Sequence, residues 1–218
     1  MTTIRYRKKI ADYLNTLQDE DLFTSDMVTE YIASKTGEER EKVRKATNVN
    51  LARFEKEGLI SRISKGIYSK AIKTPFGNYV PDKEMLFNKK LTRDGNDVIG
   101  YETGLSLMNQ IGLISQLPKK KEIATNLYES SIPKNINIEI SKPRVPVTND
   151  NYRYFQILDV INKLDSAPID TGAPDQTIKK LVDDIGLAAD RLILYARKYY
   201  PVKTLEKTID VMFGGNEL

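Results

Sequence analysis

Residues 36–70 read TGEEREKVRKATNVNLARFEKEGLISRISKGIYSK, and this stretch decides the fold of the N-terminal third of the chain. Between Val43 and Phe54, side chains suited to a buried face recur at about 100° per residue, which predicts an amphipathic helix. Thr36 and Glu39 have the S/T-x-x-E spacing of a capping box, so we expect the helix to begin at Thr36. Gly58 offers the left-handed conformation that ends many helices.

Two short β-prone runs, residues 59–63 and 66–70, follow that helix and flank a turn containing a glycine. This pattern predicts a hairpin. Upstream, residues 3–18 and residues 25–35 each show helical periodicity, the second with a serine available to cap it. Three helices followed by a hairpin are typical of a winged helix-turn-helix, so we predict such a domain over residues 1–75.

The charge of the chain is concentrated in this region. Residues 40–70 hold nine Lys or Arg against three Glu, within a chain whose net charge is only +4. Lys and Arg donate to phosphates and guanine, Asn pairs with adenine, and Val or Ala can contact a thymine methyl. The predicted DNA-binding side chains are Lys42, Arg44, Lys45, Asn48, Val49, Ala52 and Lys56 on the helix, with Arg62 and Lys65 on the hairpin. The helix face alone is more typical of a solvated surface, and it is the basic hairpin that favours double-stranded DNA.

The rest of the chain predicts a second domain of mixed α/β type, over residues 76–218, so the fold class as a whole is α+β. Pro and Gly residues scattered through 71–100 indicate a linker or irregular crossing. The predicted elements that follow are a short helix capped at Thr103 and stopped at Gly112, strands over 123–128 and 136–140, and a helical segment 151–213 with helices over 154–164, 177–185, 187–199 and 202–213.

Composition restricts the chemistry. Hydrophobic residues make up 40% of the chain and charged residues 29%, which is typical of a folded domain. The chain has no Cys and no His, which excludes a Ser-His-Asp triad, a thiolate nucleophile and thiolate metal ligands. We therefore expect no catalytic residues, no metal site and no cofactor. The short apolar runs and the polar N-terminus predict a cytoplasmic protein without membrane contact.

Three separated segments also carry a family resemblance. The hairpin ISKGIY at 63–68, the stretch YETGLSLMNQIGL at 101–113, and a C-terminal helical region with Leu158-Asp159 and Tyr200-Pro201 together resemble the AbiEi-type antitoxins of type IV toxin-antitoxin systems. The resemblance implies a winged helix that represses its own operon at promoter inverted repeats. It also implies a C-terminal domain that neutralises a nucleotidyltransferase-like toxin without a stable complex. DNA contact would fall to Lys45, Asn48, Arg62 and Lys65, and no antitoxin residue is assigned.

Two alternatives stay open at this point. The first is a stand-alone winged-helix repressor whose C-terminal domain dimerises or binds an effector. The second is an accessory enzyme of nuclease or nucleotidyltransferase type that uses Asp and Glu with a bound metal ion.

Overall fold

In a computed structural model, the protein is described over residues 2–18, 20–79 and 82–214. The chain divides into two compact units, residues 1–90 and 91–218, a later division than the one predicted after residue 75. The fold has mixed α/β character, as predicted, with helices in both units and four small sheets among the described residues. Within those same ranges, no helix combines the length and apolar character needed to cross a membrane.

The first unit contains the predicted helices and hairpin. Its elements are α1 (Thr2–Thr16), β1 (Leu22–Thr24), α2 (Ser25–Thr36), α3 (Arg40–Lys56), β2 (Ile60–Ser64), β3 (Ile67–Lys70), β4 (Ile72–Thr74), β5 (Gly77–Tyr79) and the start of α4 (Lys83–Thr92). Strand β3 lies between β1 and β2 and is antiparallel to both, whereas β4 and β5 form a separate hairpin. The short strand β1 was not predicted, and it extends the predicted hairpin to three strands.

One hydrophobic core joins α1, α2, α3 and the three-stranded sheet. Helix α3 buries Val43, Thr47, Leu51 and Phe54, whose spacing of three and four residues keeps them on one face. The core is completed by Ile10 and Leu14 from α1, Val28 and Ile32 from α2, and Phe23, Ile60 and Tyr68 from the sheet. The opposite face of α3 is left exposed.

The predicted capping box at the start of α3 is wrong. Thr36 is the last residue of α2, and its hydroxyl donates to the Ile32 carbonyl at 2.9 Å. Gly37 then ends α2 in the left-handed conformation, with φ of 67°. The helix break falls after Thr36, so α3 begins at Arg40 after Glu39, whose side chain caps nothing. A threonine between two helices can donate to a carbonyl of the preceding helix as readily as it can cap the following one.

The predicted stop at Gly58 is confirmed. Gly58 has φ of 70°, its N–H donates to the Glu55 carbonyl, and the Leu59 N–H donates to the Phe54 carbonyl at 3.0 Å. This pair of hydrogen bonds is a Schellman motif, in which the chain reverses and an apolar residue packs back on the helix. The motif delivers the chain from α3 directly into β2.

The predicted linker over 71–100 is wrong, because it contains the β4–β5 hairpin and α4. Helix α4 buries Leu86, Phe87 and Leu91, and the Asp82 carboxylate accepts from the Glu84 N–H at 2.8 Å at its start. An aspartate that accepts from the first free amides of a helix is a common N-terminal signal. The sequence was instead interpreted as a linker because prolines and glycines lie on both sides of this helix.

The second unit contains the predicted short helix, strands and helical segment. Its elements are β6 (Arg93–Asp94), β7 (Asp97–Val98), β8 (Gly100–Thr103), α5 (Gly104–Gln110), β9 (Lys121–Thr125), β10 (Ile138–Ser141), α6 (Tyr152–Lys163), α7 (Pro174–Asp184), α8 (Ala189–Tyr199) and α9 (Val202–Phe213). In its sheet, β9 lies in the middle, antiparallel to β8 and parallel to β10. Gly112, after α5, has φ of 76°, as expected for a stop.

Helix α6 forms the centre of the second core. It buries Phe155, Leu158 and Ile161, and the surrounding helices contribute further buried side chains, namely Ile178, Val182, Leu192, Ala196, Val211 and Met212. Its one carboxylate, Asp159, lies between the buried residues Leu158 and Val160.

Candidate functional site

All nine predicted DNA-binding side chains are exposed. On α3 these are Lys42, Arg44, Lys45, Asn48, Val49, Ala52 and Lys56, and on or beside β2 they are Arg62 and Lys65. Val49 is 52% exposed, although valine usually packs inside a protein. The outward face of α3 therefore combines cations, one amide and small apolar groups, which is the mixture that reads the edges of base pairs.

Most of the cations in this set are free to bind an external anion. Arg44 donates to Glu41 one turn earlier on the same helix, at 3.0 Å. Across the residues that the structure describes, the other five predicted cations form no ion pair, namely Lys42, Lys45, Lys56, Arg62 and Lys65. Unpaired exposed cations on one helix and its following hairpin create a positive potential that attracts phosphates.

Part of the α3 surface is concave. A depression of about 360 Å³ lies where Tyr6 of α1 faces α3, and Lys42, Lys45, Val49 and Arg53 contribute to its lining. Sequence analysis missed Arg53. The signal was present in the spacing, because Arg53 lies four residues after Val49 and so on the same side of the helix.

The hairpin turn is fixed against the second helix. Gly66 has φ of 73°, and its carbonyl accepts from the Ser25 N–H at 3.0 Å, at the start of α2. Strand β2 has a register shift between Arg62 and Ser64. The turn therefore holds Lys65 at a defined position beside the first turn of α2.

The second unit holds a polar cluster around Asp159, which no sequence pattern predicted. The Tyr200 hydroxyl donates to Oδ1 of Asp159 at 2.7 Å, and the Tyr101 hydroxyl donates to Oδ2 at 3.0 Å. The Thr103 hydroxyl donates to Oδ2 at 3.3 Å, and the Arg144 Nε lies 3.9 Å from Oδ1. The guanidinium of Arg144 also lies over the Tyr200 ring, 4.1 Å from its centroid. Each carboxylate oxygen thus has two neighbouring donors.

Burial sets the protonation behaviour of the Asp159 cluster. Burial raises the pKa of the Asp159 carboxyl, and the hydrogen bonds from Tyr200 and Tyr101 and the charge of Arg144 act in the opposite direction. Burial also raises the pKa of both tyrosines, and the Asp159 charge raises them further. The two tyrosines consequently act only as neutral donors around neutral pH.

The Asp159 cluster brings together segments that are distant in the sequence. Tyr101 and Thr103 belong to the stretch at 101–113, Asp159 follows Leu158, and Tyr200 precedes the proline. The one sequence signal was the isolated carboxylate within the apolar run of α6, because a buried charge requires partners elsewhere in the fold. Its partners could not be identified from spacing alone.

Glu122 forms a second junction beside the Asp159 cluster. Its Oε1 accepts from the Leu105 N–H at 3.0 Å, at the start of α5, and its Oε2 accepts from the Lys163 ammonium at 2.6 Å. Gly104 has φ of 67°, and a Cβ added there would overlap the Glu122 carboxylate. A larger residue at Gly104 would therefore be strained in its backbone and would have to displace the Glu122 carboxylate.

No group of three or more Asp and Glu side chains in the described parts of the chain is arranged to hold a metal ion. In comparisons with known proteins, no protein-family model matches the chain, and no curated protein matches it.

Proposed function

We propose that residues 1–75 form a winged helix that binds double-stranded DNA, and that the chain is an antitoxin of the AbiEi type. In this proposal it represses its own operon at promoter inverted repeats and neutralises a nucleotidyltransferase-like toxin. The observation that carries the DNA-binding part is the set of five unpaired, exposed cations on α3 and the hairpin. The action is binding rather than catalysis.

The order of elements supports this proposal. Helix α3 follows α2 after a short connection and exposes one face along its 17 residues, a suitable length for a helix lying in the major groove. Lys45 and Asn48 would face base edges, and Arg62 and Lys65 on the hairpin would bind backbone phosphates. The hydrogen bond from the Ser25 N–H to the Gly66 carbonyl would hold the hairpin in a fixed orientation relative to the helices.

The antitoxin part rests on the resemblance of the C-terminal segments and on their convergence at Asp159. Residues that are distant in sequence and meet at a buried polar cluster impose a specific shape on the surface above them. In this proposal, the second unit opposes the toxin through that surface without forming a stable complex.

A titration of promoter DNA tests the DNA-binding part. In the full chain, Lys45→Ala combined with Arg62→Ala should weaken binding to the promoter repeat. The slope of log affinity against log salt should fall by about 1, because Arg62 supplies the one phosphate contact removed and each such contact releases about 0.9 counterions. The matched control is Lys180→Ala with Arg197→Ala, which removes two exposed cations from α7 and α8 of the second unit. Equal binding by wild type and the Lys45 and Arg62 double variant would refute a role for this surface.

Growth rescue tests the antitoxin part separately. The full chain is co-expressed with the toxin encoded beside it, and both wild type and the Lys45 and Arg62 double variant should restore growth. Promoter binding without rescue would support the alternative, a stand-alone repressor with an effector-binding or dimerising second domain. The polar cavity beside Asp159 is the feature that favours an effector in that case. Metal-dependent turnover of a nucleic acid or nucleotide would instead support the accessory enzyme.

A further inference from the structure

A polar cavity of about 340 Å³ opens in the second unit beside the carboxyl end of β10. Its lining comes from four separate parts of the chain. The side chains that matter for its chemistry are Glu122, Lys142, Arg144, Asp159, Asn162 and Lys163. A cavity of this size falls at the lower end of those that hold small molecules.

The acceptor atoms that line this cavity already have donors within the protein. Asp159 accepts from two tyrosines and a threonine. Glu122 accepts from Lys163 and from the first turn of α5. The Asn162 side-chain carbonyl accepts from the Thr204 hydroxyl at 2.7 Å. A ligand that needs acceptors would therefore have to displace bonds that hold the fold together.

The donors, in contrast, are in surplus. Arg144 uses one Nη to donate to the Tyr199 carbonyl at 3.3 Å, and its Nε faces Asp159, which leaves the other guanidinium N–H groups unused. Lys142 is exposed and forms no ion pair within the described residues; its ammonium lies 5.0 Å from the centroid of the Tyr128 ring. The three cations of the lining exceed its two carboxylates by one charge.

We propose that this cavity binds a small phosphorylated molecule, with its phosphoryl group held by Arg144 and Lys142. A phosphoryl group presents several acceptor oxygens and up to two negative charges, which matches a surplus of donors and an unneutralised cation. The guanidinium fork of arginine fits such a group bidentately, and the lysine adds a mobile charge. The remaining volume of the cavity accommodates the group that carries the phosphate. This site lies wholly within residues 91–218 and does not depend on DNA binding by the first unit.

Calorimetric titration of the full chain at constant ionic strength tests the proposal, with inorganic phosphate and adenosine monophosphate as separate probes. Arg144→Gln should weaken binding at least about tenfold, because it removes charge-assisted hydrogen bonds. Lys142→Gln should weaken it by a smaller factor, and because this side chain is exposed the variant should fold normally. The matched controls are Arg153→Gln and Lys120→Gln, which remove exposed cations outside the cavity and should leave the affinity unchanged.

Several outcomes decide the proposal. Equal affinity for the two probes, or tighter binding of adenosine monophosphate, supports it, and the second result would show that the cavity also holds the carrier group. The proposal is overturned if neither probe shows saturable binding. It is also overturned if both cavity variants bind as wild type does. Loss of binding in the Lys45→Ala and Arg62→Ala double variant, with the cavity variants unaffected, would place the phosphate on the α3 surface and would also overturn it.

Discussion

The α3 surface and the Asp159 cluster use charged residues in opposite ways. On α3 the cations are exposed and mostly unpaired, so they contribute little to folding and are available to a partner. Around Asp159, hydroxyls of the buried residues Tyr101 and Tyr200 are bonded to a carboxylate that is itself half-buried. The first arrangement is suited to recognition, whereas the second fixes the fold of a unit and only its outer edge remains open. Substitutions should therefore separate the two regions, with effects on binding in one and on stability in the other.

The sharpest test of this contrast is Asp159→Ala, for which we expect the largest effect. The substitution removes the acceptor of the Tyr101 hydroxyl and the counter-charge of Arg144. The Tyr200 hydroxyl keeps only its longer contact with the Phe155 carbonyl, at 3.3 Å. The second unit should lose about 3 kcal/mol of unfolding free energy, as is typical when one partner of a buried polar group is removed. Urea denaturation followed by tyrosine fluorescence measures the loss.

Asp183→Ala is the matched control for that substitution, since its carboxylate makes only an exposed pair with Lys179 at 3.2 Å. Exposed pairs of this kind contribute less than about 1 kcal/mol. Losses of similar size in the two variants would contradict a structural role for the Asp159 cluster.

A pair of glycine substitutions sharpens the contrast within the second unit. Gly104 and Gly112 have φ of 67° and 76°, so alanine is strained at both, by about 1 kcal/mol. Only Gly104 lies against the Glu122 carboxylate, whereas a Cβ at Gly112 meets no atom within 4 Å. Gly104→Ala should therefore cost about 1 kcal/mol more than Gly112→Ala, because Glu122 must give up a hydrogen bond to make room. Thermal unfolding of the two variants measures the difference, and equal melting temperatures would contradict the packing argument.

The smallest effect distinguishes two arginines of the α3 surface. Arg53→Ala should weaken DNA binding about fivefold, whereas Arg44→Ala should change it less than about twofold, since Arg44 is already paired with Glu41. Neither substitution should alter stability appreciably, because both side chains are exposed. Fluorescence anisotropy with the same promoter fragment compares them. A larger effect at Arg44 would show that the Glu41 pair opens on binding.

Much of the first unit follows from the sequence, because its helices and hairpin are determined by local periodicity and by glycines. The exposed face of α3 was predicted correctly for the same reason. Strand β1 was missed because three residues carry no detectable alternation, and its pairing of Phe23 with Tyr68 is a tertiary feature. The start of α3 was misplaced because Thr36 could either end α2 or cap α3. Only packing decides between these two positions.

The Asp159 cluster could not be predicted, for a different physical reason. Its members come from β8, from the segment after β10, from α6 and from the end of α8. Periodicity describes which side of one element is buried, but it does not say which elements meet. A carboxylate among the apolar residues of α6 indicates that Asp159 needs hydrogen-bond donors from elsewhere in the chain. Only the fold identifies these donors as Tyr101 and Tyr200.

The burial of Asp159 also makes the stability of the second unit depend on protons in an unusual sense. Its pKa is higher in the folded chain than in the unfolded chain, so folding favours the protonated form. The stabilisation that Asp159 gives through this pKa difference is complete below its pKa in the unfolded chain. It is lost as the pH rises through its pKa in the folded chain. Asp170, whose pKa is lowered by hydrogen bonds from Ser115, contributes in the opposite sense and loses its effect as the pH falls. As the pH falls, the unfolding free energy of wild type should therefore rise relative to that of Asp159→Asn. Mild acid thus stabilises the second unit through Asp159 and destabilises it through Asp170.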